Sequence, residues 1–267
     1  MRIFSRLLAV FLLFFANSAF ATSILMEDMT WPEIAQAMKD GYTTVIVPTG
    51  GTEQNGPHII LGKHNFVLQK TAPAIAEKLG HTLVAPIMAY VPEGNITPPS
   101  GHMQFPGTLS LRPETFAAVL EDTARSLKQH GFKLICFVGE HGASQPVQAK
   151  VAEKLSAEWK DEGVKVIHVN EYYDDNNGQV AWIKQTNPKI EEHDIEAHGG
   201  LADTSEMLAA HSEGVRDNLR SNYKPDDFTK LGVDGSSADA STDLGKRFLE
   251  LKIEAAVKQI KKERGDK

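Results

Sequence analysis

Leu134-Ile135-Cys136-Phe137-Val138-Gly139-Glu140-His141-Gly142 is the stretch on which the fold turns. Five consecutive apolar residues with no polar alternation describe a strand covered on both faces, because a strand with one wet face alternates. The run stops at a glycine and opens into a loop that carries a carboxylate and an imidazole. Just upstream, Arg112-Pro113-Glu114-Thr115 opens a helix through about Gln129, and Gly131 closes it. Downstream, a helix spans roughly Gln145 to Trp159 and a further strand follows over 164–169. The same alternation holds toward the N-terminus. Thr30-Trp31-Pro32-Glu33 starts a helix, and Thr43-Thr44-Val45-Ile46-Val47 is a β-branched strand ending at Pro48 and a glycine pair. A helix then runs from about Phe66 to Leu79, and residues 82–87 form another strand. Strands alternating with helices predict an α/β fold, a three-layer α/β/α sandwich with a mostly parallel central sheet. Ligand sites in such sheets lie beyond the carboxyl ends of the strands. The Pro- and Gly-rich loop over 91–107 is too long for a simple connector and is a candidate functional loop.

Residues 1–21 read as a cleavable secretory signal: Arg2 and Arg6, an apolar run over 7–15, then Ala19-Phe20-Ala21 as a small-x-small cleavage site. The apolar run falls well short of the roughly 20 residues a membrane-spanning helix needs. The expected product is therefore periplasmic or secreted, with no membrane association after cleavage. Residues 22–267 are read as a single domain, since α/β chains of this length often form one. The formal charge is −7 and the basic tail Lys261, Lys262, Arg264 reads as a solvated helix end, so no nucleic-acid footprint is present. Cys136, the single cysteine, has no internal disulfide partner and sits in the apolar run, where it is expected to be buried and inert.

Three polar clusters follow strands or join helices. They are Gly51-Thr52-Glu53-Gln54-Asn55-Gly56-Pro57-His58 with His64 beyond it, Gly139-Glu140-His141-Gly142, and His198-Gly199-Gly200-Leu201-Ala202-Asp203-Thr204-Ser205-Glu206. Imidazole and carboxylate suit Zn²⁺, Fe²⁺ or Mn²⁺, and glycine lets backbone crowd a site. A lone loop histidine is more often a surface or hydrogen-bonded residue, and a lone glutamate is usually solvated. Three such clusters at corresponding strand ends point instead to one shared site.

Their wording resembles the creatininase (creatinine amidohydrolase) family. Residues 48–58 are similar to that family's opening motif, and His102-Met103-Gln104-Phe105-Pro106-Gly107-Thr108 to a segment that precedes a helix. Gly139-Glu140-His141-Gly142, residues 194–207, Gly232-Val233-Asp234-Gly235 and the helix from Gly245 follow the same pattern, so the likeness covers nearly all of the mature chain. The resemblance implies a dinuclear, metal-dependent amidohydrolase that cleaves a non-peptide C–N bond of a small-molecule amide, of cyclic amide or formamide type. It also implies a closed homo-oligomer, often a hexamer. Carried over by position, Glu53 and His141 match metal-binding residues, His198 a proton-transfer histidine, and Asp203 a glutamate near the metals.

The departures are informative. Asn55 stands where the family has a ligand histidine, His64 where it has a bridging aspartate, and Ala143 where creatininase itself has a metal-binding glutamate. A carboxylate spans two cations with two oxygens, whereas a neutral imidazole has one free lone pair. Either the site is rebuilt around a metal held by Glu53, His64, His141 and Asp203, or catalysis is lost and a binding protein remains. The gain of a new ligand type at His64 favours rebuilding. The expected cofactor is a divalent metal, zinc first, with manganese or iron as alternatives and one or two ions per chain. The expected chemistry is attack of activated water on the amide carbonyl, with His198 moving the proton and Glu140 as a second acid–base candidate. Asn55, His58 and His102 are assigned to supporting or substrate contacts; Tyr172, Tyr173, Trp182 and residues 92–100 are candidates for a pocket wall, with ordinary packing and loop chemistry the stronger reading for them. Gly50-Gly51-Thr52 lacks both Gly-x-Gly-x-x-Gly and Gly-Lys-Ser/Thr, which argues against a phosphate-cradling loop.

Overall fold

β1 (Thr44–Thr49) is buried along all six of its residues, which places it at the centre of the sheet. The computed structural model describes residues 23–174 and 178–266; the expected signal peptide at 1–21 lies outside them. On one side β1 pairs with β2 (Thr82–Val84) and on the other with β3 (Leu134–Gly139), which in turn pairs with β4 (Lys165–His168). The order is β2-β1-β3-β4 and every pairing is parallel. Side chains alternate across the sheet. Val45, Val47, Ile135, Phe137 and Val166 face one layer, formed by Phe116 and Leu120 of α3 (Pro113–His130), Val151 and Leu155 of α4 (Gln145–Glu158), and Trp159. Ile46, Leu134, Cys136 and Val138 face the other, formed by Leu68 and Ile75 of α2 (Lys63–Leu79) and Ala256 and Ile260 of α9 (Thr242–Arg264). Each large apolar side chain so buried contributes about 1.5–3 kcal/mol. These are the three layers the apolar runs call for. Burial pushes the Cys136 thiol up, so it stays protonated.

Two boundaries differ from the sequence expectation. The regular strand expected over 82–87 stops at Val84, although the Ala85 N–H still donates to the Ile46 carbonyl at 2.8 Å and, past Pro86, the Met88 N–H reaches the Pro48 carbonyl at 3.0 Å. The helix expected from Phe66 starts at Lys63, which sets Lys63 and His64 on its first turn, facing inward. The remaining helices are α1 (Trp31–Lys39), α5 (Gln179–Thr186), α6 (Glu192–Glu196), α7 (Leu201–His211) and α8 (Phe228–Leu231). Among the described residues no helix is long and apolar enough to cross a membrane.

α7 and α9 pack backbone against backbone at Gly245. A Cβ there would stand 1.7 Å from the Ser205 carbonyl oxygen and 2.9 Å from the Ala209 Cβ. Helix propensity alone favours alanine over glycine by about 1 kcal/mol, but the obstruction is backbone and cannot rotate away. Gly245→Ala is expected to destabilise the fold by about 2 kcal/mol net, lowering the melting temperature by about 5 °C. A variant that melts at or above the parent temperature rules out this close crossing.

Candidate active site

Thr49 and Gly139 are register partners, and the Glu140 N–H donates to the Thr49 carbonyl at 3.0 Å, so the loops after β1 and β3 leave the sheet side by side. The first loop is then pinned. Glu53 N–H donates to the Leu61 carbonyl at 3.1 Å and Gln54 N–H to Thr108 Oγ1 at 3.1 Å. These bonds drive Glu53, 1% exposed, into a cavity of about 550 Å³ at the carboxyl end of the sheet.

Imidazoles converge on that carboxylate. His64 Nε2 lies 2.6 Å from Glu53 Oε1, and His141 Nε2 lies 3.0 Å and His102 Nε2 3.3 Å from Oε2. His141 Nε2 is also 2.7 Å from Oε2 of Glu93, a second buried carboxylate delivered by the long loop. Gly51 makes room for it: a Cβ at Gly51 would stand 2.6 Å from Glu93 Oε1. Burial works against a charge on His64 and, with Lys63 nearby, lowers its pKa to about 3. Burial also opposes a charge on His141, but the hydrogen bond to Glu53 and the close carboxylate of Glu93 outweigh it and hold the group up at about 10. Burial opposes ionisation of Glu53, and the neighbouring imidazoles overcome it and keep its carboxyl well below the usual range. For Glu93 burial dominates, and its pKa rises to about 8.

A divalent cation fits this donor set. Oxygen and nitrogen ligands about 2.0–2.2 Å from one ion stand roughly 3 Å apart, the spacing of His141 and His102 from Glu53. One donor atom each from Glu53, His102 and His141 lies within 4.8 Å of the others. Both oxygens of Glu93 are buried without a hydrogen bond of acceptable geometry, as an acceptor awaiting a cation is. The Gln54 amide nitrogen donates to His102 Nδ1 at 2.9 Å while its oxygen accepts from the Gly56 N–H at 2.9 Å, so the ring carries its proton on Nε2, toward Glu53; holding an ion at Nε2 requires that proton to leave or the amide to turn over.

Asp203, expected as a ligand, is engaged elsewhere. Lys63 Nζ holds one of its oxygens at 2.6 Å and the Gly199 N–H donates to the other at 2.8 Å. Glu140 is likewise no free base: Lys252 Nζ binds it at 2.5 Å, Tyr172 donates its hydroxyl to it, and Lys252 reaches Glu206 at 3.1 Å. Burial raises the Glu140 pKa to about 7 against the pull of Lys252. His198 is placed for proton transfer. Its Nε2–H donates to the Gln54 carbonyl at 2.8 Å, which turns Nδ1 toward Glu53 Oε1 at 3.9 Å and Asp203 Oδ2 at 4.0 Å.

Asn55 folds back to donate to the Glu53 carbonyl at 3.0 Å, and His58 bonds Thr204 Oγ1 at 2.9 Å beside the Tyr223 ring. Both support the loops and neither lines the cavity. Tyr173 does line it, Tyr172 lies beneath, and Trp182 packs on Phe248. Residue-by-residue reading missed Glu93, Lys63, Lys252 and the cavity-lining role of Glu206. Glu93 had a signal, a carboxylate between Pro92 and Gly94 in a loop too long to be a connector, and Lys63 had its adjacency to His64. Lys252 had none, since one lysine in a helix of charged residues is unremarkable.

The creatininase family profile, described as creatinine amidohydrolase, matches residues 27–260. Creatinine amidohydrolase of Pseudomonas putida is 26% identical over 258 residues, covering 90% of this chain and 97% of that protein. Mycofactocin precursor peptide peptidase of Mycolicibacterium smegmatis is 25% identical over 204 residues, covering 74% and 70%. A solved structure described as "Creatininase Mn" superposes with a TM-score of 0.76 at 25% identity, covering 90% of this chain and 98% of that one. Fold, motif order and full-length similarity agree: the chain belongs to the creatininase family.

Proposed function

We propose that this protein is an exported, metal-dependent amidohydrolase that cleaves a non-peptide C–N bond in a small-molecule amide, of cyclic amide or formamide type. The observation that carries the reading is the convergence of Glu53, Glu93, His64, His102 and His141 in one buried cavity, with His198 turned toward it. Glu53, His102 and His141 are the residues that would hold the ion, with His64 and Glu93 at its flanks. Zinc is the first choice and manganese the second for such a donor set. Bound there, a divalent ion supplies Lewis acidity and lowers the pKa of water toward about 7. The chain's own residues do the rest. His198 Nδ1, free of its proton, accepts one from water and returns it to the leaving nitrogen. The Asp203 carboxylate, fixed by Lys63 and Gly199, lies 4.0 Å from that nitrogen. Export rests on the pattern of residues 1–21, and a closed homo-oligomer on the family resemblance.

Metal analysis of the purified protein is expected to find a divalent ion, and Glu53→Ala or His141→Ala to weaken its binding by at least about 100-fold. The loaded parent is expected to hydrolyse a member of a panel of lactams, formamides and cyclic guanidines, and His198→Ala to keep metal while losing about 10²–10⁴ in turnover. Loaded protein inert across the panel supports instead a binding protein, the reading that Asn55 and Ala143 at ligand positions favour.

The pH dependence has a definite sign. In metal-free protein the raised pKa of His141, about 10 against 6.5, contributes stability that is complete below pH 6.5 and lost as pH rises through 10. Glu93, raised to about 8 from 4.5, acts in the same direction over its own range. Below pH 6.5 the lowered pKa values of His58, His64 and His102 act the other way, so chelated protein should lose stability as pH rises from about 7 to about 10, and metal-loaded protein should lose less, the ion standing in for those protons. Identical melting temperatures at pH 7 and pH 9.5 in chelator contradict this.

The export part predicts mature protein in the periplasmic fraction with Thr22 at its N-terminus; an intact residue 1 in the cytoplasmic fraction overturns it.

A further inference from the structure

We propose that Lys63 is a fixed second cation of the cavity: its ammonium, tied to Asp203 beside the Glu53 cluster, limits the site to one divalent ion. The inference rests on the metal-dependent reading above and deepens it.

Lys63 is 2% exposed and lies next to His64 on the first turn of α2, so an ammonium and an imidazole enter the same cavity from adjacent residues. A lysine is almost never so deep unless it is paired. Its partner is Asp203, whose two oxygens are both in use, one on Lys63 Nζ at 2.6 Å and the other on the Gly199 N–H at 2.8 Å. His198 Nδ1 lies 4.0 Å from Asp203 Oδ2 and 3.9 Å from Glu53 Oε1, so a single ring separates this ion pair from the imidazole cluster.

The charges of the wall then sort into three groups. Lys252 lies between Glu140 and Glu206, at 2.5 and 3.1 Å, and the Tyr172 hydroxyl and the Gln179 amide donate to the negative charge that one ammonium leaves over. Lys63 answers Asp203. Asp174 and Glu196 have partners of their own. Glu53 and Glu93 are left, and two carboxylates balance one divalent ion. A second ion would find no uncommitted carboxylate among these wall residues and would meet the repulsion of Lys63. Nor does the wall offer another donor where Ala143 lines it, and Asn55 is turned away onto the Glu53 carbonyl.

The test is a calorimetric titration of chelated, refolding-competent full-length protein with Mn²⁺, with the melting temperature of every variant recorded. The parent is expected to bind one equivalent. Lys63→Met removes a repelling charge and frees the Asp203 carboxylate, so it should bind Mn²⁺ about tenfold tighter and admit a second equivalent. Asp203→Asn leaves Lys63 uncompensated and should bind about tenfold weaker. Lys63→Met/Asp203→Asn and Lys63→Arg should both return to the parent value. A merely structural ion pair predicts the opposite pattern, with both single variants weakening the site through lost order. Two equivalents in the parent, or parent-like affinity in folded Lys63→Met and Asp203→Asn, overturn the Lys63 role while leaving a metal-dependent hydrolase intact. No Mn²⁺ or Zn²⁺ bound by the parent defeats the metal-dependent reading itself. If Lys63→Met fails to fold, Asp203→Asn and the double variant decide the question by the same criteria.

Discussion

The Glu53 carboxylate is an ion almost without water, and the site is organised around that constraint. A carboxylate at 1% exposure survives as an anion only where positive charge or hydrogen-bond donors surround it. Here His64, His102 and His141 stand within 3.3 Å of it and His198 at 3.9 Å. The sheet makes this possible, because β1 carries the chain to the rim and the loop that follows is bonded at Glu53 and Gln54 to segments 8 and 54 residues away. Register fixes the loops, the loops fix the carboxylate, and the carboxylate gathers the imidazoles.

The cavity floor is built by a second charged network rather than by apolar packing. Glu140 at the end of β3, Glu206 in α7 and Lys252 in α9 meet beneath the pocket, with Lys252 also 4.9 Å from the centre of the Tyr172 ring. Three elements distant in sequence are thereby held to one geometry. Removing a single member would leave the others as unpaired buried charges, a loss of several kcal/mol in comparable sites. Such a floor holds the charges beside the cavity in fixed positions.

The substitutions that set this chain apart at ligand positions have a common physical logic. An imidazole at His64 engages one oxygen of Glu53 and cannot bridge two cations as a carboxylate does. Asn55 turns to the backbone, Ala143 brings no donor, and Asp203 is matched to an ammonium. Together these changes lower the number of ligand atoms available around the cavity, while the donors around Glu53 still point inward.

The parallel sheet, its layers and the loops that bear the site were legible in the sequence, because short apolar runs such as 134–138, bounded by turn residues and alternating with helices, fit strands covered on both faces. Glu53, His64, His141 and His198 were legible as well, each lying in a short motif whose glycines mark crowded backbone. The assignments of Asp203, Glu140 and His102, and the presence of Glu93, Lys63 and Lys252, were decided by tertiary structure. Hydrophobic period and turn chemistry are local properties that a few neighbouring residues determine. Charge compensation acts through space between groups as far apart in the chain as Glu140 and Lys252, so which acid meets which base is settled only when the helices close over the sheet.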